Sequence, residues 1–174
     1  AYPAMAARGY GWEKLMSEMF CQEYWEERGM ETAIARFHNV YGPYGTWDGG
    51  REKAPAAICR KVIDSKDTGN HTIEIWGDGT QTRSFMYIDD CTKGIDMIAH
   101  CDELIATPIN LGSSELVSIA DLVSMVEDIA GVKLERTYKL DAPVGVAGRN
   151  SDNTMIQRIL NWEPNTPLRE GMKK

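Results

Sequence analysis

A tyrosine and a lysine, Tyr10 and Lys14, stand four residues apart at the start of a strongly helical stretch. Residues at this spacing are neighbours on one face of a helix. An ammonium group beside a phenol favours the phenolate and lowers the pKa of the tyrosine from its ordinary value of about 10. Such a tyrosine can take a proton from a sugar hydroxyl near neutral pH. The same spacing also arises by chance on helix surfaces, so the rest of the chain must decide between the two interpretations.

Composition places the chain among ordinary globular domains. Its 174 residues are 43% hydrophobic and 26% charged, which fits one soluble domain with a buried core. The net charge of −7 argues against a broad basic surface for nucleic acid. An anionic small molecule remains a possible ligand, because a few local Arg and Lys side chains are enough to bind it.

Cysteine and histidine usage indicates neither a disulfide framework nor a metal site. The four cysteines show no C-x-x-C spacing and the three histidines are scattered. The first residues contain no apolar stretch long enough for a signal peptide, and no later run is long enough to span a membrane. We therefore expect a reducing cytoplasmic location, with no metal and no membrane partner.

The Tyr/Lys pair belongs to a predicted helix over residues 10–27. An apolar stripe at three-and-four spacing predicts one buried face, composed of Trp12, Leu15, Met16, Met19, Phe20 and Tyr24. Tyr10 and Lys14 fall on roughly the opposite side. A helix with two such faces is expected to have partners on both sides, and Gly29 is a plausible stop.

Alternating patterns along the remaining chain predict an α/β fold. The predicted strands are 31–37, 72–76, 83–88, 108–111 and 134–138, and the further predicted helices are 54–65, 89–101, 118–129 and 152–160. Ser118 begins a capping-box pattern at one helix start. The segment 77–80 between two strands indicates a hairpin-like turn.

Two polar segments follow early predicted elements. In residues 36–43 a strand end delivers His38 and Asn39 into a loop, and ligands of open α/β sheets bind just beyond such strand ends. Asn39 could equally cap backbone groups of a turn. Residues 45–55 combine glycines with Arg51-Glu52-Lys53 before a helix start, where backbone can approach an anion closely. A lysine in an enclosed site can also act as a general acid or base, whereas an open charge cluster would simply be solvated.

Two further polar segments contain arginines. Arg83 follows Gln81 and Thr82 at the start of a strand, where its guanidinium could bind a phosphate through two parallel hydrogen bonds. The alternative for Arg83 is an exposed edge residue. In residues 148–153, Asp152 or Ser151 is a predicted N-cap, and Arg149 is the candidate ligand contact.

These features together carry a family resemblance that covers essentially the whole chain. The matching segments are the Tyr10/Lys14 helix and residues 36–43, 76–79, 83–85, 87–90, 110–113, 160–164 and 168–171. They resemble the extended short-chain dehydrogenase/reductase family of nucleotide-sugar epimerases and dehydratases, although Asn161 replaces a more usual glycine. Within the family, residues 45–55 and 148–153 are most similar to the GDP-mannose 3,5-epimerases.

The resemblance implies roles for individual residues. Tyr10 would be the acid/base at sugar carbon 4, Lys14 would position the nicotinamide ribose of NAD, and Lys53 would be one of two acid/bases working at carbons 5 and 3. Phe37 and His38 would lie near the cofactor. The nucleotide-sugar contacts would be Asn39, Glu52, Lys53, Ala54, Lys61, Gln81, Thr82, Arg83 and Arg149. Transient oxidation at carbon 4 acidifies the neighbouring C–H bonds and so allows epimerisation. Lys61, Arg83 and Arg149 are then expected to converge on one pocket with Asn39 and Lys53.

The chain also departs from the family pattern, because no G-x-G-x-x-G follows a predicted strand and no cysteine matches the second acid/base. It therefore resembles the C-terminal portion of the Rossmann-like fold plus the smaller substrate-binding domain. Residues 9–40 would end the cofactor part, and residues 41–174 would mainly form the substrate part. We expect an epimerase that is incomplete in this chain, with weak NAD binding and either a homodimer or association with an N-terminal half. The alternatives are a non-catalytic binding or self-associating fragment, or a 4-epimerase, 4,6-dehydratase or decarboxylase.

Overall fold

The computed structural model describes residues 8–143, 145 and 147–174. The helices are α1 (Arg8–Arg28), α2 (Ala54–Thr68), α3 (Ile88–Ala99), α4 (Ile119–Ala130), α5 (Thr154–Leu160) and α6 (Leu168–Met172). The strands are β1 (Ile34–Phe37), β2 (Asn39–Tyr41), β3 (Thr72–Trp76), β4 (Thr82–Tyr87), β5 (Pro108–Leu111), β6 (Leu116–Ser118), β7 (Glu135–Lys139) and β8 (Gly148–Arg149). The predicted α/β class is confirmed.

The strands pair mostly in parallel. β1 pairs with β5, β3 pairs with β7, and β4 lies between β2 and β6 while also pairing with β8. The predicted hairpin around residues 77–80 is wrong, because β3 and β4 belong to different sheets. Gly77 and Gly79 adopt left-handed φ values of 74° and 79°, which turn the chain out of one sheet and toward the other.

Two apolar clusters form the core. One lies under α2, α4 and the β3–β7 sheet, and consists of Ile58, Val62, Ile73, Ile75, Phe85, Val117, Leu122, Val123, Val126, Leu134 and Leu168. The other lies under α3, α5 and the β1–β5 sheet, and consists of Met86, Cys91, Ile98, Leu104, Ile109, Leu111 and Ile156. β4 contributes to both clusters, so it connects the two parts of the molecule.

The apolar stripe of α1 is exposed, contrary to the prediction of a buried face. Leu15 is half-buried, but the other members keep between 48% and 57% of their surface in solvent: Trp12, Met16, Met19, Phe20 and Tyr24. α1 instead meets β1 through a polar contact, in which the Arg36 guanidinium donates to both oxygens of Glu18 at 2.9 and 2.6 Å. The Thr32 hydroxyl also donates to the Cys21 carbonyl at 3.1 Å. These contacts hold α1 against β1, while Tyr10 and Lys14 are also exposed.

Short-range sequence patterns predicted several helix and strand boundaries correctly. β3 and β5 have the predicted limits, and the Ser118 hydroxyl accepts from the Asp121 N–H at 3.0 Å as the predicted cap. The N-cap prediction for α5 is wrong, because the N-cap is Asn153 and not Asp152 or Ser151, although Asp152 accepts from the Thr154 N–H at 3.0 Å. Asn39, which was expected in a loop, instead begins β2 and pairs with Phe85 of β4.

Candidate functional site

A cavity of about 600 Å³ lies above the first core cluster, between α2, β3, β4 and the start of α4. Its apolar floor includes Ile58, Ile75, Phe85 and Val123. Its polar lining includes Asn39, Glu52, Lys53, Gln81 and Arg83, and Ala54 also contributes. An apolar cavity with a few convergent polar groups is the usual form of a small-molecule site. The cavity therefore brings together residues from three chain segments that the sequence had singled out.

The loop before α2 supplies Glu52 and Lys53 to this cavity. Lys53 is the N-cap of α2 in extended backbone, so its side chain leaves the helix at the cavity wall. The Glu52 side chain is only 11% exposed, and its Oε1 accepts from Arg60 Nη2 at 3.0 Å. Its own backbone N–H and the Arg60 guanidinium lower the pKa of Glu52, so the carboxylate is charged at neutral pH.

Two segments meet at Arg83 and Arg149. Arg83 lines the cavity, and β8 places Arg149 in register beside it on the neighbouring parallel strand. Side chains at paired positions of adjacent strands project from the same face of a sheet. Arg149 is exposed and does not itself line the cavity, and Thr82 likewise lies in β4 outside the described lining. The arginines are therefore neighbours, with Arg83 the one that faces the cavity.

Lys61 lies behind the cavity wall. Its Nζ donates to the Glu74 carbonyl at 2.8 Å and lies 6.0 Å from the centre of the Trp76 ring. Burial lowers the pKa of Lys61. Glu74 and Trp76 line the cavity, whereas Lys61 is not among its described lining residues, so the expected direct convergence of Lys61 is not seen.

Sequence reasoning did not single out Trp76 as a site residue. The residue is 49% exposed, and its indole N–H donates to Glu74 Oε1 at 3.0 Å. The signal that could have found it is a large aromatic residue at a position of the alternating strand that the pattern assigns to the solvent side. The exposed ring offers the cavity a flat apolar surface.

The predicted cofactor residues lie outside this cavity. Tyr10 is 73% exposed, Phe37 is 51% exposed, and Lys14 Nζ lies 5.3 Å from the centre of the Tyr10 ring. Contacts from 32 to 21 and from 36 to 18 make α1 and β1 run in opposite directions. The start of α1 and the end of β1 therefore lie toward the same side of the molecule.

His38 follows directly after β1. Burial, and then the positive charge of Arg149, lower the pKa of His38, so the ring is held neutral. Gly112 packs against it so closely that an added Cβ would lie 2.6 Å from the His38 Cβ. The buried Asn153 amide donates to the Gly112 carbonyl at 2.9 Å, which links the start of α5 to this position.

Two further observations concern the part of the chain that the structure describes. None of its helices combines the length and the apolar character required to pass through a bilayer. It contains no group of three or more His, Cys, Asp or Glu side chains suited to holding a metal ion. The four cysteines are free thiols.

Comparison with known proteins defines the class. Residues 2–112 match the NAD dependent epimerase/dehydratase family, and the chain belongs to this family. Among curated relatives, GDP-mannose 3,5-epimerase of Arabidopsis thaliana is 47% identical over 173 residues, which are 99% of this chain and 44% of that protein. GDP-mannose 3,5-epimerase 1 of Oryza sativa subsp. japonica is 44% identical over the same share. The chain thus spans less than half the length of these relatives.

Solved structures share the fold. UDP-glucuronic acid 4-epimerase from Bacillus cereus, in complex with UDP-glucuronic acid and NAD, is 30% identical with a TM-score of 0.80, over 94% of this chain and 50% of that one. UDP-glucose 4-epimerase from Thermotoga maritima, with UDP-glucose, is 26% identical with a TM-score of 0.84 over the same shares. The fold is therefore that of nucleotide-sugar epimerases, of which this chain matches about half.

Proposed function

We propose that the chain forms the substrate-binding side of a GDP-mannose 3,5-epimerase. The observation that carries the proposal is the cavity, which gathers Asn39, Glu52, Lys53, Gln81 and Arg83 from three segments. Cations, a carboxylate and amides around an apolar floor suit a sugar nucleotide, which combines hydroxyl groups, a diphosphate and a flat base. The likeness to the plant GDP-mannose 3,5-epimerases favours that particular substrate.

The residues divide the chemistry between two places. Lys53, at the cavity wall, would move protons at sugar carbons 5 and 3, together with a second acid/base from outside this chain. Tyr10 would hold the proton at carbon 4, and the Lys14 ammonium lies 5.3 Å from the centre of its ring. NAD, when bound, supplies the transient oxidation at carbon 4 that makes the neighbouring C–H bonds acidic.

The residues present fit one end of NAD. Tyr10, Lys14, Phe37 and His38 would hold the nicotinamide end, and the exposed Tyr10 and Phe37 rings leave that side open. No described residue supplies the Gly-rich turn that binds the pyrophosphate. We accordingly assign residues 9–40 to the cofactor part and residues 41–174 mainly to the substrate part. We also propose a cytoplasmic location, in keeping with four free thiols.

The 174-residue chain is expected to bind GDP-mannose measurably but NAD only weakly. Isothermal titration calorimetry with GDP-mannose should give a saturable isotherm, because the cavity residues belong to one chain. Titration with NAD should give no micromolar binding, because the pyrophosphate lacks its Gly-rich turn. UDP-glucose, which differs from GDP-mannose in both base and sugar, is the comparison ligand.

Each other outcome of these titrations points to a specific alternative function. Tighter binding of UDP-glucose than of GDP-mannose would reassign the chain to a 4-epimerase-like member of the family. Binding of GDP-mannose without turnover, even after addition of the N-terminal half of a plant relative with NAD, would identify a non-catalytic binding fragment. Absence of all sugar-nucleotide binding would refute the substrate assignment.

The exposed stripe of α1 is proposed as a surface for a second copy of the chain. Trp12, Met16, Met19, Phe20 and Tyr24 form a contiguous apolar face, and pairing two such helices about a two-fold axis would cover both. Apolar burial contributes about 25 cal/mol per Å². Light scattering is expected to show a dimer that Met16→Glu and Phe20→Glu together convert to monomer. A wild-type monomer at high concentration would contradict this prediction, and Ile95→Glu, an exposed apolar site on α3, is the control.

A further inference from the structure

Arg60 of α2 connects both ends of the glycine-bearing loop at the cavity. Its Nε donates to the Trp47 carbonyl at 3.1 Å, and its Nη2 donates to Glu52 Oε1 at 3.0 Å. Between these two attachment points Gly49 and Gly50 adopt left-handed φ values of 87° and 80°. Glycines restrict the backbone weakly, so the conformation of this loop depends on contacts such as these.

The contact with Arg60 engages only one of the two carboxylate oxygens of Glu52. One carboxylate oxygen is occupied by Arg60, while Oε2 is buried and makes no hydrogen bond of normal geometry with the described residues. The backbone N–H groups of Glu52 and Gly50 lower the pKa of this carboxylate, yet Oε2 keeps unused acceptor capacity, which a bound molecule can satisfy. Glu52 lines the cavity, so a ligand hydroxyl or N–H can approach from there.

We propose that Arg60 is a positioning residue, which acts through Glu52 to present the second carboxylate oxygen to a hydroxyl or N–H donor of the ligand. The ligand class, a sugar nucleotide, rests on the function proposed above. A planar guanidinium suits this role because it can reach the Trp47 carbonyl and the Glu52 carboxylate at once, which a lysine ammonium cannot do with the same geometry.

The outer partners of Arg60 provide a control within the same network. Asp64 lies 3.6 Å from Arg60 Nη1, and Asp48 lies 3.9 Å from Nε. Both side chains are more than 60% exposed, so their pairs with Arg60 contribute little. Arg60 reaches the cavity through Glu52, and neither aspartate lines it.

The test measures GDP-mannose binding by calorimetry for the wild type, Arg60→Gln, Arg60→Lys, Glu52→Gln, the Arg60→Gln/Glu52→Gln double variant and Asp64→Asn. We expect Arg60→Gln to raise Kd at least tenfold, Arg60→Lys to rescue it only in part, and Asp64→Asn to leave it unchanged. The double variant should bind about as weakly as Glu52→Gln alone, because both changes remove one function. Wild-type affinity in Arg60→Gln, or full additivity in the double variant, would overturn the proposal.

A second measurement does not depend on the ligand. The Glu52 carboxyl carbon, assigned by its loss in Glu52→Gln, is titrated by NMR in the wild type and in Arg60→Gln. We expect the pKa of Glu52 to rise when Arg60 is removed, and an unchanged titration would overturn the positioning role. If the wild type binds no GDP-mannose, the proposed function fails, while this titration still decides whether Arg60 positions Glu52.

Discussion

Replacing Arg83 with glutamine is expected to weaken GDP-mannose binding by about 10- to 150-fold, the equivalent of losing a charged hydrogen-bond pair of about 1.5–3 kcal/mol. Arg83 lines the cavity from β4, beside its register neighbour Arg149. A guanidinium binds a diphosphate through two parallel hydrogen bonds, and an amide cannot replace its charge. Arg83→Lys should recover only part of the affinity, because an ammonium acts as a point charge.

Calorimetry on folded variants checks the Arg83 prediction, with Arg169→Gln as the matched control. Arg169 is an exposed cation on α6 whose partner is Asp128 at 3.5 Å, and it does not line the cavity. Removal of its charge should therefore change Kd by less than about twofold, as for a weak surface pair. Equal losses in the two variants would mean that the effect is general electrostatic attraction, and unchanged binding in Arg83→Gln would remove Arg83 from the site.

The fold was predictable where the determining chemistry is local. The alternation of apolar and polar residues, together with the turn residues at either end, predicted the limits of β3 and β5. The Ser118 hydroxyl caps α4 as its sequence pattern indicates. The hairpin prediction failed because β3 pairs with β7, far along the chain, and no local pattern reports such a partner. α6 was missed because five residues after Pro167 are too few to show a helical period.

The site was predictable only in part, for a related reason. Residue types alone drew attention to residues 45–55 and 81–83, and the fold brings Glu52, Lys53, Gln81 and Arg83 of these segments to one cavity. Arg60 was missed because its proposed role rests on contacts with Trp47 and Glu52, which only the folded loop creates. Lys61 shows the opposite case, since a cation suited to a phosphate is instead engaged by the Glu74 carbonyl.

The α1 stripe shows that an apolar period in the sequence predicts a helix face but does not reveal which surface, if any, covers that face. Periodicity correctly predicted the helix, whose limits agree within two residues, but the face predicted to be buried is exposed. Within this chain, however, the Arg36–Glu18 ion pair turns the other side of α1 toward β1. A helix face buried in the core and one exposed at the surface can show the same apolar period, and only the packing of the helix separates the two.

The largest stability effect is expected at Glu127 of α4, which supports the β3–β7 sheet from beneath. Its side chain is 1% exposed, and its Oε2 accepts from Lys133 and from Arg136, each at 2.9 Å. Its Oε1 accepts from the Leu134 N–H at 3.1 Å, at the entrance to β7. β7 pairs with β3 as far as Trp76, so this carboxylate also supports the wall of the cavity.

Glu127→Ala is expected to lower the free energy of unfolding by about 3 kcal/mol, near the lower end for breaking a buried ion pair because Lys133 is itself exposed. Such a loss corresponds to a decrease in Tm of about 6–12 °C for a chain of this size. Asp128→Ala, one residue further along α4, is the control, because its pair with Arg169 is exposed and should contribute less than about 1 kcal/mol. Chemical and thermal denaturation followed by circular dichroism measure both variants.

The pH dependence separates the charge of Glu127 from its packing. Burial alone would raise the pKa of Glu127, but hydrogen bonds from Lys133, Arg136 and the Leu134 N–H outweigh it and lower the pKa below its ordinary value. A lowered pKa in the folded state contributes stability that is present above the unfolded pKa and is lost as pH falls through the folded one. The stability difference between the wild type and Glu127→Gln should therefore be largest near neutral pH and shrink below about pH 4. A difference that stays constant down to the acid transition would mean that Glu127 acts through shape alone, and that its ion pairs contribute nothing to holding β7 on α4.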